Sequence, residues 1–463
     1  MHDRGLQQAL GRLADTLGRR NKEAYAQLEG SSALRDRARA IKDATLAELD
    51  KHLATLADSV ERLGGHVHFA ADGPGACEII GEIIHARGAK KVVKAKSMTT
   101  EEIHLNRSLE GKGVQVVETD FGEFIIQVAG HRPSHLVAPA IHLNVQDVAE
   151  ILSRRAGRRL PAEARQLAAF AREQLRHEFA TADIGITGTN FAVAETGTIV
   201  LISNEGNARL TTTLPPVHIA VMGMEKVIPR LADLPVFLKV LARAATGQKM
   251  SVYTSLITGP RRPGELDGPE EFHLVILDNG RSRILAGPLR ESLFCIRCGA
   301  CLNACPIYRN VGGHTYGGVY AGPIGAVLTP LYDGLAANHH LPHASSLCGA
   351  CQAACPVKIA IPEMLIKLRE KLHEESSHTA SDEYDEPRLE GLAYRLWAAT
   401  LRRPWLYRAA TWLATRTVGR WYRQSRWITR LPGALGGWTD QRDFPAPAAR
   451  RFRDWWKDEG VSG

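Results

Sequence analysis

The chain of 463 residues contains no G-x-G-x-x-G run and no G-x-x-x-x-G-K-[ST] run. Neither the nicotinamide or flavin fingerprint nor a P-loop is therefore present. A two-electron donor must then sit on a partner or bind without these signatures. No stretch approaches the roughly eighteen consecutive apolar residues of a membrane span. The opening segment mixes charges with apolar residues at helical spacing and lacks the apolar core of a secretory leader. The expectation is a cytoplasmic protein. Aromatics make up only 6% of the chain, and no tryptophan precedes Trp397, so all eight fall in the last stretch.

Charge is as unevenly placed as tryptophan. From Gly391 to Gly463 fourteen basic residues face five acidic ones, a net of +9, against +8 for the whole chain. The basicity belongs to one tail. There Trp405, Trp412, Trp421 and Trp427 interleave with arginines. Helices packing on this protein or a partner subunit are the first reading. A surface-lying helix at the inner face of the cytoplasmic membrane, with arginines toward anionic headgroups, is the second. Nucleic-acid binding uses the same chemistry but is the reading set aside.

The length predicts several domains, each able to bury a core. Residues 1–60 read as helices, with Leu6, Leu10, Leu13 and Leu17 at helical spacing, and Leu46, Leu49, Leu53, Leu56 and Val60 after them. Residues 61–288 alternate short β-prone runs (His66–Ala70, Lys91–Ala95, Val114–Val117, Ile199–Ile202, His218–Met222, His273–Leu277) with amphipathic segments such as Pro161–Phe179 and Leu231–Ala245. That alternation predicts an α/β domain with a largely parallel sheet. Thr99-Thr100-Glu101-Glu102 has capping-box form and predicts a helix that Gly111 ends. A cysteine-rich region covers 289–375, with an irregular connector from Gly312 to Pro330. A polar linker follows at 376–390, and the basic tail occupies 391–463.

Seven of the eight cysteines carry the chemistry. Cys295-x2-Cys298-x2-Cys301-x3-Cys305-Pro306 is the bacterial ferredoxin pattern. Cys348-x2-Cys351-x3-Cys355-Pro356 repeats it with Ser345 in the opening position. In such pairs the last cysteine of each run serves the other run's cluster. Cluster one would then use Cys295, Cys298, Cys301 and Cys355. Cluster two would use Cys305, Cys348 and Cys351, leaving one iron corner without a thiolate. That leaves either a three-iron cluster or a four-iron cluster with an open corner, unless His314, Ser345 or Ser346 fills it. His314 and Tyr316 are expected to pack beside the cluster. Zinc, the rival for thiolates, usually takes four per structural site from separated pairs, and these frames suit it poorly. Disulfides are rarer still in a reducing compartment. Cys77, in an apolar and helical stretch, reads as a packed hydrophobe.

A second polar concentration runs from Gly185 to Thr198 and on through Ser203–Thr213. Glycines with hydroxyl and amide side chains at strand ends suit an anion pocket, because backbone N–H groups can approach a carboxylate or phosphate. Asn190, Glu195, Thr196 and Arg209 are its candidates, with Lys96 and Ser97 at another strand end. Tight turns satisfied by Thr and Asn are the plainer explanation.

Several stretches together resemble a known family. They are Lys94-Ala-Lys-Ser-Met-Thr-Thr-Glu-Glu-Ile103, Glu118-Thr-Asp-Phe-Gly-Glu123, Gly185 to Glu205, Asp278-Asn-Gly-Arg281, Cys295 to Pro306 and Gly322-Pro-Ile-Gly325. The family is lactate utilization protein B, the iron–sulfur subunit of bacterial lactate utilization systems. Phe121 stands where an aliphatic residue is expected. The resemblance implies a LUD domain, similar to the sheet of CoA-transferases and ribose-5-phosphate isomerase, followed by an α-helical ferredoxin-type domain with two 4Fe-4S clusters. It implies a component of an L-lactate oxidation complex that acts with other subunits and exchanges electrons with donor and acceptor proteins or quinone. Two rivals remain at this point. The chain itself could bind and oxidise a 2-hydroxy acid, or the clusters could be structural in a scaffold.

Overall fold

The computed structural model describes residues 4–378, 388–418 and 427–459, except 432, 434, 435, 437, 438, 440, 441 and 449. Most of the expected linker, together with Trp421, lies outside the described residues. Residues 1–375 pack as one compact unit and 376–463 as another.

The first unit is built on a six-stranded sheet. Its strands are β1 (His66–Ala70), β2 (Lys91–Lys94), β3 (Gln115–Glu118), β4 (Ile184–Thr187), β7 (Val217–Gly223) and β10 (Glu271–Leu277), in the order β1-β10-β7-β4-β2-β3. All five pairings are parallel. The central strand β7 is buried at every position, as a strand covered on both faces must be. A second sheet of four strands comprises β5 (Phe191–Val193), β6 (Thr198–Ser203), β8 (Val227–Ile228) and β9 (Tyr253–Ile257), in the order β8-β5-β6-β9. Periodicity does not reveal β5 or β8, which are three and two residues long, or β4, which runs into a glycine- and threonine-rich stretch.

Two expectations are corrected. The helix expected from Thr99 to Gly111 is two helices, Met98–Glu102 and Leu105–Gly111, broken where His104 adopts a left-handed backbone. Its N-cap is Ser97, whose hydroxyl accepts the Thr100 N–H at 3.3 Å. The connector is not wholly irregular either. A helix, Gly322–Asp333, occupies its second half and is buried from Gly322 to Pro330.

Three N-terminal helices, Arg4–Ala26, Ser31–Ala47 and Leu49–Arg62, bind the sheets to the cysteine region. Tyr25 donates to Val240 O at 2.9 Å. Arg35 donates to Ala353 O at 2.7 Å and Arg39 to Lys358 O at 2.7 Å. Arg309 pairs with Asp15 at 2.8 Å. One apolar core joins Leu10, Leu46 and Phe237 to Cys298, Cys301 and Cys355 without interruption.

The tail unit contains helices Arg388–Arg402, Pro404–Arg416 and Phe452–Glu459, and a short antiparallel pair, Trp427–Ile428 with Phe444–Pro445. Among its described tryptophans, Trp397, Trp405 and Trp412 are 61%, 64% and 43% exposed. Among the described residues no helix is long and apolar enough to cross a membrane.

Candidate iron–sulfur centre and adjoining pocket

The two cysteine loops repeat one backbone design. In the first, Arg297 and Gly299 are left-handed, a short helix Ala300–Ala304 follows, and Cys305 is extended before Pro306. In the second, Leu347 and Gly349 are left-handed, the helix is Ala350–Ala354, and Cys355 is extended before Pro356. The left-handed turns at the glycines are cheap because no Cβ clashes. The loops place backbone N–H groups on sulfur. Arg297 N–H donates to Cys295 Sγ and Tyr308 N–H to Cys305 Sγ, both at 3.4 Å.

The tertiary fold sorts the thiols into two sets. Cys355, from the second run, lines one small cavity together with Cys295, Cys298 and Cys301. Burial, then Cys355, pushes the Cys298 thiol up. Burial, then Cys295 and Cys298, does the same to Cys301. Burial raises Cys355 to about 12, with Cys295 adding to it. Cys305, Cys348 and Cys351 form the other set. Burial, with contributions from Cys305 and Cys348, raises Cys351 to about 11. Cys348 differs. It is exposed, and its thiol is lowered by the Ala350 N–H and the Ser346 side chain. Among the described residues no three His, Cys, Asp or Glu groups close around a single metal ion. Four thiols spread round a cavity fit a larger inorganic core, which thiolates hold as they hold iron–sulfur clusters.

Ser345 stands in the register of Cys295. Its hydroxyl accepts the Leu347 N–H at 3.1 Å, the same two-residue bond that Cys295 sulfur takes from Arg297. His314 is engaged elsewhere: Nε2 lies 2.8 Å from Arg132 O and the ring stacks edge-on with His142. Tyr316 is buried, and Cys305 and Cys301 add to the burial that raises its hydroxyl. Cys77 is buried and its sulfur meets Ile103 O at 3.4 Å.

A buried charge network that periodicity does not reveal lies behind cluster one. Arg281 is fully buried and donates to both Glu102 oxygens at 2.8 and 2.9 Å and to Glu225 Oε2 at 2.6 Å. Arg297 reaches Glu225 Oε1 at 3.4 Å and stacks over the Tyr320 ring at 4.4 Å. Burial alone would raise Glu225, but Arg281, then Arg297, Lys226 and Lys42, bring it down to about 2. Arg281 ends the Asp278-Asn-Gly-Arg motif, which was the available signal. Nothing local in the sequence marks Glu225 or Lys226.

The pocket lies at the C-terminal ends of β2 and β4, where open α/β sheets bind ligands. Lys96, Ser97 and Asn190 line it, as do Thr189, Lys226, Arg297 and Cys298. Gly188 makes the approach feasible, since a Cβ there would fall 2.4 Å from Ser97 Oγ. Lys96 Nζ pairs with Glu123 at 3.2 Å, and burial raises Glu123 to about 7 despite that lysine. The other sequence candidates are corrected. Glu195 is exposed and accepts the Leu231 N–H at 2.9 Å, Thr196 donates to Thr198 in the turn, and Arg209 is exposed; none of the three lines the pocket. They belong to turns and a helix start.

Comparison with known proteins now decides the family. Residues 53–277 match the LUD domain, 291–359 the 4Fe-4S dicluster domain, and 367–461 the C-terminal region of lactate utilisation protein B. Lactate utilization protein B of Shouchella clausii is 47% identical, over 100% of this chain and 96% of its own length. The chain belongs to the lactate utilization protein B family. The family member from Geobacillus kaustophilus is 48% identical over 93% of this chain and 89% of its own length. A solved DUF162 family protein from Deinococcus radiodurans covers 50% of this chain at 16% identity, with a TM-score of only 0.28. The family resemblance read from the sequence is thus established, as is the α/β class with its parallel sheet and iron–sulfur domain.

Proposed function

We propose that the chain is the iron–sulfur electron-transfer subunit of a complex that oxidises L-lactate to pyruvate. The observation that carries the reading is the crossing of the cysteine runs: Cys355 of the second run faces the same cavity as Cys295, Cys298 and Cys301. Those four would hold cluster one. Cys305, Cys348 and Cys351 would hold cluster two, with the Ser345 hydroxyl at its fourth corner. Bound there, the clusters supply one-electron storage and transfer.

The residues around them fit a relay with a direction. Three of the four cluster-one sulfurs are on buried residues; Arg281 and Arg297 pair with Glu102 and Glu225 behind them, and the buried Lys226 beside that network adds a positive charge in excess. Positive charge favours the reduced state of a nearby centre. Cluster two opens to solvent at Cys348, so exchange with other lactate utilization subunits, or with quinone, runs through that face. The tail's exposed tryptophans and arginines provide a separate contact, with a partner subunit or the inner membrane face.

Anaerobically purified protein tests this by electron paramagnetic resonance and visible absorption. Expected are two reducible centres, bleached by L-lactate only when the partner subunits are present. A chain with no iron or acid-labile sulfide after reconstitution overturns the reading, and so do clusters that dithionite cannot reduce.

A further inference from the structure

The pocket beside cluster one holds polar atoms with nothing to bind. Arg297 Nη1 and Thr189 Oγ1 are buried without a hydrogen-bond partner, and Lys96 Nζ has only its ion pair to Glu123. Lys226 is 7% exposed and makes no hydrogen bond or ion pair among the described residues. Glu123 and Glu225 offset the charges of Lys96 and Arg297, but two cationic nitrogens and a hydroxyl buried without a hydrogen-bond partner are costly unless a ligand completes them. The lining's two acids bond to backbone rather than to these atoms. Asp120 accepts the Glu123 N–H at 3.1 Å, and Glu205 is exposed and accepts the Phe121 N–H at 3.1 Å.

The rest of the lining restricts the ligand. The cavity is about 320 Å³, the lower end of small-molecule sites. Leu136, Leu241, Ala242 and Ala245 give it one apolar side, and Cys298 places it against cluster one. Resting on the relay reading for that cluster, we propose that this cavity binds a small carboxylate bearing a 2-hydroxy or 2-oxo group. Arg297 and Lys226 take the carboxylate, Thr189 takes the oxygen at the second carbon, and the short alkyl end meets the leucine and alanine side. Lys96 balances remaining negative charge. The Arg297 backbone also bonds Cys295 sulfur, so a ligand on its guanidinium is felt at the cluster.

Calorimetry on the intact holoprotein with L-lactate, pyruvate, acetate and inorganic phosphate tests the assignment, alongside resonance spectra of the dithionite-reduced protein. L-Lactate or pyruvate should bind at least tenfold tighter than acetate or phosphate and shift the reduced cluster-one signal. Lys226→Met should weaken that binding at least tenfold while visible absorption shows the clusters retained. Ala245→Phe, which fills the apolar side without touching a charge, should do the same. No binding by either acid, tighter binding of phosphate, or full affinity in both variants overturns the proposal. The relay reading fails separately, on the iron content and reducibility of the unliganded protein.

Discussion

Single residues carry most of the electrostatic consequence. Arg281 neutralises two carboxylates that are otherwise buried, Glu102 and Glu225, through a planar fork that lysine cannot reproduce. Arg281→Met should destabilise the first unit by about 3–5 kcal/mol, because it strips Glu102 of its buried cation and leaves Glu225 with only the longer pair to Arg297. Arg281→Lys should recover only part of that loss in chemical denaturation followed by visible absorption. His218 is a second sensitive position. It lies fully buried in β7 with Nε2 2.8 Å from Thr187 Oγ1, and burial, then His273, lowers it to about 3. Its folded value is below the unfolded one near 6.5, so the unfolded chain binds the extra proton first. Stability is full above about pH 6.5 and falls toward pH 3, by up to about 1.4 kcal/mol per pH unit for this one group. His218→Gln should flatten the acid limb of a stability–pH curve; an unchanged slope would assign the loss to other groups.

At the scale of elements, the two cysteine loops are copies that differ at one position. Ser345→Cys should convert a centre with three thiolates into one with four. The expected readout is a cluster-two signal that survives brief exposure to air, where the parent loses an iron and shows a three-iron spectrum. Crossing gives an independent test. Cys355→Ala lies in the second run but should abolish the cluster-one signal, whereas Cys305→Ala in the first should abolish that of cluster two. The connector's role is also elemental. Gly313 packs so closely on Ser134 that a Cβ would meet the Ser134 carbonyl oxygen at 1.7 Å, and Tyr308 donates to the same oxygen at 2.7 Å. The loop 131–143, which has no regular periodicity, thereby lines the pocket through Leu136 and Val137.

For the whole molecule, the distribution of chromophores gives a direct test of its two compact units. All eight tryptophans lie beyond residue 391, while all seven cluster cysteines lie before residue 356. Tryptophan emission therefore reports on the tail alone, and visible absorption on the first unit alone. The two should give different midpoints in one urea titration, and removal of residues 376–463 should leave the visible transition within error of the full chain. Coincident transitions would show the units to be energetically coupled. Vesicles of anionic lipid should blue-shift the tail's emission if the exposed indoles meet a membrane; partner subunits should do so if they meet protein.

The sequence by itself fixed the chemistry of the centre, since cysteine spacing and the trailing prolines specify how thiolates wrap a cluster. It also determined the parallel sheet, because β7 and β10 are largely apolar runs that alternate with amphipathic segments. β5 and β8 were illegible because two or three residues carry no period, and β4 because it runs into the glycine- and threonine-rich stretch read as a pocket or turns. Only tertiary structure decided the pocket. Lys96 and Asn190 reach it, but Lys226 and Arg297 join them from distant segments whose local sequence has no reason to be read together. Glu195 and Arg209 stood in the most suggestive stretch but do not line the pocket, Glu195 because it sits in the turn between two strands and Arg209 because it lies on the exposed side of a short helix.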